Sequence, residues 1–330
     1  MDKPALTTPV ALIIFNRPEV TRRVFEAVRK ARPAKLLLIA DGPRPSRPDD
    51  AENCRLTREI VTDVDWPCEV LTNFSETNIG CKRRVAGGLD WVFAEVEDAI
   101  ILEDDCLPHP DFFPFCAEML EKYRHDDRVF HISGNHFRTT GERNPESYYF
   151  SRYTFSWGWA TWRRAWKYFD VDIKLWPVVR DGGWLRDFLG DAAAARRFTR
   201  EFQAIYDGKV NTVWDFQWGL ACWIHSGLAI RPHVNLISNI GFSDNATHTK
   251  DPDYPGANLP TAPMEFPLRH PAFMMRNAFE DKFFHGGTAA GALWRRAKGK
   301  FKKVFESARH AGARSRLVIP AQPETLPPKI

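Results

Sequence analysis

Apolar residues follow a regular rhythm over the first 133 positions, where short β-branched or leucine-rich runs alternate with longer stretches of helical period. "VALIIF", "AKLLLIA", "CEVLT", "DAIIL" and "RVFHIS" have the length and make-up of buried strands. Between them "PEVTRRVFEAVRK" sets Val20, Val24, Phe25 and Val28 on one helical face, with Pro18 at a first-turn position that tolerates its missing N–H. "DFFPFCAEMLEKY" does the same with Phe112, Phe115, Met119 and Tyr123, and Asp111 is its expected cap. Strands alternating with helices predict an α/β fold built on a parallel sheet with right-handed crossovers.

From about Thr139 the rhythm breaks. Aromatic and glycine residues crowd "YTFSWGWATWRRAW", a polar helical stretch follows in "DAAAARRFTREFQAIYDG", and "VWDFQWGLACWIHSG" precedes one further strand candidate, "LAIRPHVNLIS". This half is expected to be mixed α/β structure packed against the first sheet. The chain divides into a main unit over 1–250 with halves 1–135 and 136–250, a proline-rich loop and connecting segment over 251–290, a basic helix over 291–316 and a disordered tail over 317–330.

Composition narrows the class. Twelve Trp and 24 Phe supply enough aromatic surface to line a pocket as well as a core. The six cysteines contain no Cys-x-x-Cys pair, which excludes a zinc ribbon and a thioredoxin-like motif and reads as free thiols in a reducing cytoplasm. No apolar run approaches the ~18 residues of a membrane span and no signal-like segment opens the chain, so a cytoplasmic protein, soluble or peripheral, is expected. The formal net charge of +4 is uneven, because nine Lys or Arg and one Glu fall between Gly291 and Arg316, leaving the remainder net acidic. In that stretch Leu293, Trp294, Phe301, Val304 and Phe305 share a helical face opposite the cations. Two readings stay open: a helix lying on the anionic inner face of a membrane, or one packed on the main unit. Basic charge confined to the tail gives little support for a nucleic-acid partner.

The chemistry concentrates where strands end, since ligands of an open parallel sheet sit at the carboxyl ends of its strands. The fourth strand runs into Glu103, Asp104 and Asp105. Three acids there repel one another unless a cation or donor-rich ligand compensates, and hard oxygen ligands suit Mg²⁺ or Mn²⁺ bridged to phosphate. Asn16 and Arg17 follow the first strand and Asp41 the second, while Asn78, Gly80, Lys82, Arg83 and Arg84 follow the third at a helix start, a setting that favours anions. Singly, "ADGP" is a turn and the arginines a solvated face; together, four strand ends point to one phosphate-bearing ligand.

These blocks resemble a family. "LEDDCLPHPDFFPF", followed in register by "FSWGWATWRRAW", "WDFQWGLACW" and "LAIRPHVNLISNIGFSDNATH", resembles the GT-A nucleotide-sugar glycosyltransferases over about residues 9 to 250. The nearest likeness is to bacterial surface-polysaccharide (haemolytic-protein-like) enzymes, with a more distant one to N-acetylglucosaminyltransferase I. The resemblance implies a Rossmann-like, mostly parallel sheet flanked by helices, with donor binding in 1–135 and acceptor binding in 136–250. It implies a UDP-sugar donor and a glycan or lipid-linked acceptor. Asp105 would hold the metal, Asp104 and Glu103 would contact ribose or orient the metal shell, Asn16 and Asp41 would hold the nucleoside, and Lys82 or Arg83 would neutralise phosphate.

An inverting transfer also needs a carboxylate base. Asp215 occupies that block, although Trp-Asp-Phe-Gln-Trp lacks the second acid of the Trp-Asp-Asp-Trp run; a helix cap is its alternative role. Trp157, Gly158, Trp159 and Trp214 are expected to frame the sugar and acceptor, with an aromatic core as the alternative. His248, in the loop "NIGFSDNATHT", is either a metal or phosphate ligand or an exposed loop histidine. A metal-dependent sugar nucleotidyltransferase could use the same acids but would be expected to carry a glycine-rich phosphate loop after the first strand, where "FNRPEVTRR" has no glycine. A non-catalytic carbohydrate-binding protein would keep the aromatic blocks without needing the acids.

Overall fold

The computed structural model describes residues 6–137, 145–242 and 256–285. The predicted basic helix over 291–316, the tail over 317–330 and His248 lie outside them. In chain order β1 (Val10–Ile14), α1 (Pro18–Ala31), β2 (Lys35–Ala40), α2 (Asp50–Thr62), β3 (Glu69–Phe74), α3 (Cys81–Glu95) and β4 (Asp98–Glu103) form an unbroken β/α alternation. Then come β5 (Cys106–Pro108), α4 (Phe112–Lys122), β6 (Val129–Ser133), β7 (Tyr148–Ser151), β8 (Trp159–Trp162) and the short α5 (Arg163–Trp166). Helices α6 (Trp176–Asp181), α7 (Trp184–Leu189), α8 (Ala192–Tyr206) and α9 (Asp215–Ile224) precede β9 (Leu228–Pro232), β10 (Ile237–Asn239) and α10 (Ala278–His285).

Eight strands make one mostly parallel sheet in the order β3-β2-β1-β4-β8-β6-β9-β7. The first four are parallel, with Val10 opposite both Leu36 and Ile100. β8 runs antiparallel to β4 and β6, β9 is parallel to β6, and β7 is antiparallel to β9. The expected α/β class is therefore what the chain adopts, and the second half contributes strands to the same sheet as the first.

Every residue of β1 is buried because both sheet faces are covered, as an interior parallel strand requires. Alternate side chains feed two cores: Val10, Leu12 and Ile14 pack with Val24, Phe25 and Phe112 from α1 and α4, while Ala11 and Ile13 pack with Val85, Leu89 and Trp218 from α3 and α9. A third cluster belongs to α6 through α8 and rests on Leu220 and Trp223 of α9.

Local expectations meet tertiary context in two places. Asp111 precedes α4 but caps nothing, because its right-handed helical backbone turns the side chain outward; its carboxylate accepts the Met264 N–H at 2.9 Å instead. "LAIRPHVNLIS" is two strands in two sheets. Pro232 ends β9, having no N–H for the ladder, and β10 leaves to pair antiparallel with β5, Asn239 opposite Cys106. That ribbon crosses the carboxyl edge of the main sheet. Gly158 makes room for it: φ is +62°, and a Cβ there would lie 2.3 Å from Ile237 Cδ1.

The segment after residue 255 is tied back by hydrogen bonds, including Ala262 N–H to the Asn235 carbonyl at 2.9 Å. Asp281 of α10 is fully buried, accepts the Ser151 hydroxyl at 2.6 Å and pairs with Arg276 at 3.2 Å. No helix among the described residues is long and apolar enough to cross a membrane.

One buried imidazole sets a pH dependence. His131 of β6 stacks on Trp159 at 5.0 Å, accepts the Trp218 indole N–H at Nδ1 (3.1 Å) and so carries its proton on Nε2, directed at the Phe155 carbonyl (3.1 Å). Burial, aided by repulsion from Arg231, lowers its pKa to about 3. Between that value and the ordinary ~6.5 the unfolded chain binds a proton that the folded chain refuses, so this group's stabilising effect is full above pH ~6.5 and is lost on acidification, at ~1.4 kcal/mol per pH unit. We expect the His131 ring to remain neutral and Nε2-protonated at pH 5 by ¹⁵N NMR. A cationic ring at that pH in the folded protein would contradict the assignment.

Candidate active site

Strand ends bring the polar groups together. Glu103 closes β4, and Asp104 and Asp105 turn toward β5. The link from β1 to α1 is three residues long, Phe15 to Arg17, and it drives the Arg17 guanidinium into the acids. Arg17 pairs with Asp104 and, at 3.1 Å, with Asp105; the Phe15 N–H donates to Asp104 at 3.3 Å. Burial raises the pKa of Glu103 well above the usual carboxylate range, and repulsion from Asp105 and Asp104 adds to it. Burial also raises Asp104, against the pull of Arg17. For Arg17 burial opposes the charge, but attraction to Asp104 and Asp105 outweighs it and lifts the guanidinium above its ordinary value.

Asp41, at the end of β2, accepts four hydrogen bonds: Gly42 N–H (2.9 Å) and Ile79 N–H (3.0 Å) at Oδ1, Gly80 N–H (2.9 Å) and the Asn78 amide (3.0 Å) at Oδ2. The carboxylate thus folds the β3–α3 loop over the sheet edge. Gly42 permits the approach, since a Cβ would fall 2.4 Å from the Thr77 carbonyl carbon.

A cavity of about 310 Å³ opens between these groups, lined by Arg17, Asp41, Asn78, Glu103, Asp104 and Asp105 on one side. Trp157, Thr212, Asn239, Gly241 and Phe242 form the other wall, with Trp157 edge-on to Phe242 at 5.8 Å. Gly241 is pressed against the charge cluster: a Cβ there would sit 2.2 Å from Asp105 Oδ2 and 2.8 Å from Arg17 Nη1.

Other candidates stand elsewhere. The Asn16 amide donates to Asp50 at 2.6 Å, and Asp50 also binds Arg44, so Asn16 braces the wall from behind. Lys82 points toward Asp172 at 4.0 Å and Arg83 is exposed. Cys81, Arg84 and Val85 line the cavity instead, at the i, i+3, i+4 spacing of one helical face. Choosing among adjacent "CKRR" residues required the helix phase, which that spacing from Cys81 supplies. Arg44 of the turn after Asp41 also lines the cavity, its guanidinium 5.2 Å over the Phe15 ring.

Trp159 and Trp214 are buried and stacked at 5.6 Å, part of the aromatic core beneath the site. Asp215 is the first residue of α9 with Trp214 at the cap position, so its place differs from that of a cap. It opens that helix three residues after Thr212, and its charge contributes to the raised pKa values of Glu103 and Cys81. For Cys81 burial is the largest cause, with Glu103 next, which keeps the thiol un-ionised and a poor nucleophile.

Fitness for a divalent cation depends on the oxygens left over. Both Asp104 oxygens are engaged by Arg17 and Phe15, and among the described residues no three His, Cys, Asp or Glu side chains converge as a ligand set. Asp105 lines the cavity, gives Arg17 one oxygen, and on the other accepts only the weakly donating Cys106 thiol at 3.4 Å. Mg²⁺ and Mn²⁺ need one or two protein carboxylates when phosphate oxygens and water complete the shell. The residues fit a cation only if it arrives with a phosphate-bearing ligand, in which case Asp105 would offer it an oxygen.

No family model and no curated protein matches the chain. Among solved structures, a UDP-glucose pyrophosphorylase complexed with UDP-glucose aligns at 10% identity and a TM-score of 0.32, covering 69% of this chain and 90% of that one. An apo UDP-glucose pyrophosphorylase aligns at 8% identity and a TM-score of 0.34, covering 70% and 93%. Similarity this low transfers no activity.

The Asp41 clasp is directly testable. In Asp41→Asn an amide N–H₂ replaces one acceptor and meets at least one donor, so we expect a loss of roughly 1–3 kcal/mol in urea unfolding. Amide exchange at Ile79 and Gly80 should accelerate more than in α1. Unchanged exchange at both positions would show that the clasp does not hold the loop.

Proposed function

We propose that the chain transfers a sugar from a nucleoside-diphosphate sugar, with UDP as the nucleotide, to a hydroxyl of a glycan or lipid-linked acceptor, with inversion at the anomeric carbon. The observation that carries this reading is the charge arrangement at one cavity, Arg17 among Glu103, Asp104 and Asp105, with the Asp215 carboxylate near enough to add to the rise of the Glu103 pKa. A diphosphate leaving group needs compensation where Arg17 and Asp105 lie. An attacking hydroxyl needs a base, and Asp215, which opens α9 and whose charge reaches Glu103, is the carboxylate we assign to it.

In the proposed step the Asp215 carboxylate takes the acceptor O–H proton as the oxygen bonds to the anomeric carbon. The bond from that carbon to the diphosphate breaks, its electron pair leaving on the phosphate oxygen, and UDP is released. Mn²⁺ or Mg²⁺, held by Asp105, would supply positive charge against the departing diphosphate. Arg17 orients Asp104 and Asp105 and adds a fixed cation beside them. The wall of Asn78 and Arg84, which Asp41 holds in place, takes the nucleoside, and Trp157 offers a flat face to the sugar.

A nucleotidyltransferase must cradle a triphosphate. The three-residue link from β1 to α1 contains no glycine and already presses Arg17 on the acids, which favours the diphosphate reading. The products separate the two: sugar transfer or donor hydrolysis yields UDP, whereas nucleotidyl transfer yields UTP from UDP-sugar and added pyrophosphate. UTP formation dependent on pyrophosphate would overturn the proposal.

Two substitutions test the roles. Asp105→Asn should abolish transfer and the tightening of UDP by Mn²⁺ while the fold persists, read by calorimetry and circular dichroism; full activity in EDTA would remove the metal from the scheme. Asp215→Asn should leave UDP-sugar affinity within about twofold and lower turnover ~10²- to 10⁴-fold. A collapse of donor affinity would instead make Asp215 a donor ligand.

A further inference from the structure

The three helices α6, α7 and α8 carry a feature that the reaction does not use. They enclose a groove of about 710 Å³ whose lining contains four arginines, Arg180, Arg186, Arg196 and Arg200, and no acidic residue. Arg180 is neutralised by Asp181 at 2.7 Å. Arg186, Arg196 and Arg200 make no ion pair among the described residues. Asp191, at the N-cap of α8, accepts the Ala193 and Ala194 N–H groups at 2.9 and 2.8 Å, and the acids of α7 and α8, Asp187 and Glu201, are not part of the groove lining. Arg196 and Arg200 stand one helical turn apart on the same face, a like-charge spacing that costs stability unless something outside compensates it.

Beside this groove the apolar side chains point the wrong way for a soluble surface. Leu175 is 52% exposed, Val178 64% and Trp184 59%, although their neighbours Trp176, Leu185 and Leu189 are buried in the local core. They form one ridge: Leu175 and Val178 are three apart on the α6 side, and the Trp184 indole lies over Gly182, where a Cβ would come 2.3 Å from its Nε1 and 3.2 Å from the Val178 carbonyl oxygen. Gly183 joins the ridge to the groove, being part of its lining.

Uncompensated arginines next to exposed Trp, Val and Leu match the two demands of a bilayer interface. The cations meet anionic headgroups, and the apolar residues, Trp above all, settle at headgroup depth. A soluble polyanion would satisfy the arginines but leave the ridge in water. We propose that α6 to α8 form a docking surface for an anionic lipid bilayer, with Arg186, Arg196 and Arg200 on the headgroups and Trp184, Val178 and Leu175 inserted beside them. The proposal is independent of the reaction at the sheet edge and of residues 291–316.

Sedimentation of the full chain with phosphatidylglycerol/phosphatidylcholine vesicles tests it, with pure phosphatidylcholine as control and hydrogen exchange locating the contact. At low salt we expect the Arg186→Gln/Arg196→Gln/Arg200→Gln variant to partition about a hundredfold more weakly than the parent, from three headgroup contacts. Trp184→Ser should bind more weakly at any salt concentration, and vesicles should protect amides in 178–186 and 192–200. Circular dichroism melting confirms that these exposed substitutions leave the fold intact. Equal partitioning of the triple variant, protection confined to other segments, or equal binding to neutral vesicles would overturn the proposal. So would protection of the groove by soluble pyrophosphate without any by vesicles, which would make it a site for a free anion.

Discussion

A single guanidinium among three carboxylates is the constraint around which this molecule is arranged. Glu103, Asp104 and Asp105 follow one another on the backbone and cannot separate, and burial makes their mutual repulsion expensive. Arg17 can answer them because β1 and β4 are hydrogen-bonded neighbours in register, Ile13 opposite Glu103, so the two strands end within one residue of each other at the same sheet edge. Pro18 starts α1 at once and shortens the link, which holds the guanidinium at the edge. Losing the pair would leave buried carboxylates without a partner, a far larger penalty than the net value of the pair itself.

Further features follow from keeping that cluster enclosed yet reachable. The β5–β10 ribbon lays Asn239, Gly241 and Phe242 against it, and Gly241 lets the backbone come within van der Waals distance of Asp105. Asp41 draws the β3–α3 loop inward from the other side and spends all its acceptor capacity doing so. The site is therefore polar and preorganised on one wall, aromatic and backbone-lined on the other. That division suits a ligand with a charged end and an apolar face.

The aromatic blocks divide by depth, not by composition. Trp159, Trp166, Trp214 and Trp218 form a buried group around His131, whose tautomer is set by the Trp218 N–H. Trp157, two residues before Trp159, faces the cavity. The difference comes from Gly158, whose positive φ turns the chain between them and whose missing Cβ admits Ile237.

Some of this was legible in the sequence alone. Runs of four or more apolar residues, the helical period of "PEVTRRVFEAVRK" and the β/α alternation specify the parallel half, because burial on both faces of a strand and one face of a helix leaves a periodic trace. The acidic triplet at the end of β4 is legible for the same reason: a strand boundary is a local event, and the sheet's carboxyl edge follows from it. What remained undecided rests on distance and phase. Whether Arg17 meets the acids or a ligand depends on β1 and β4 being neighbours, 87 residues apart for the pair with Asp104. The choice of Arg84 over Arg83 depends on one residue of helix rotation. The fate of "LAIRPHVNLIS" depended on β5 being there to receive its second half. Side chains that answer one another across such separations leave no periodic signal in the chain, because their energies are realised only when the sheet has brought them together.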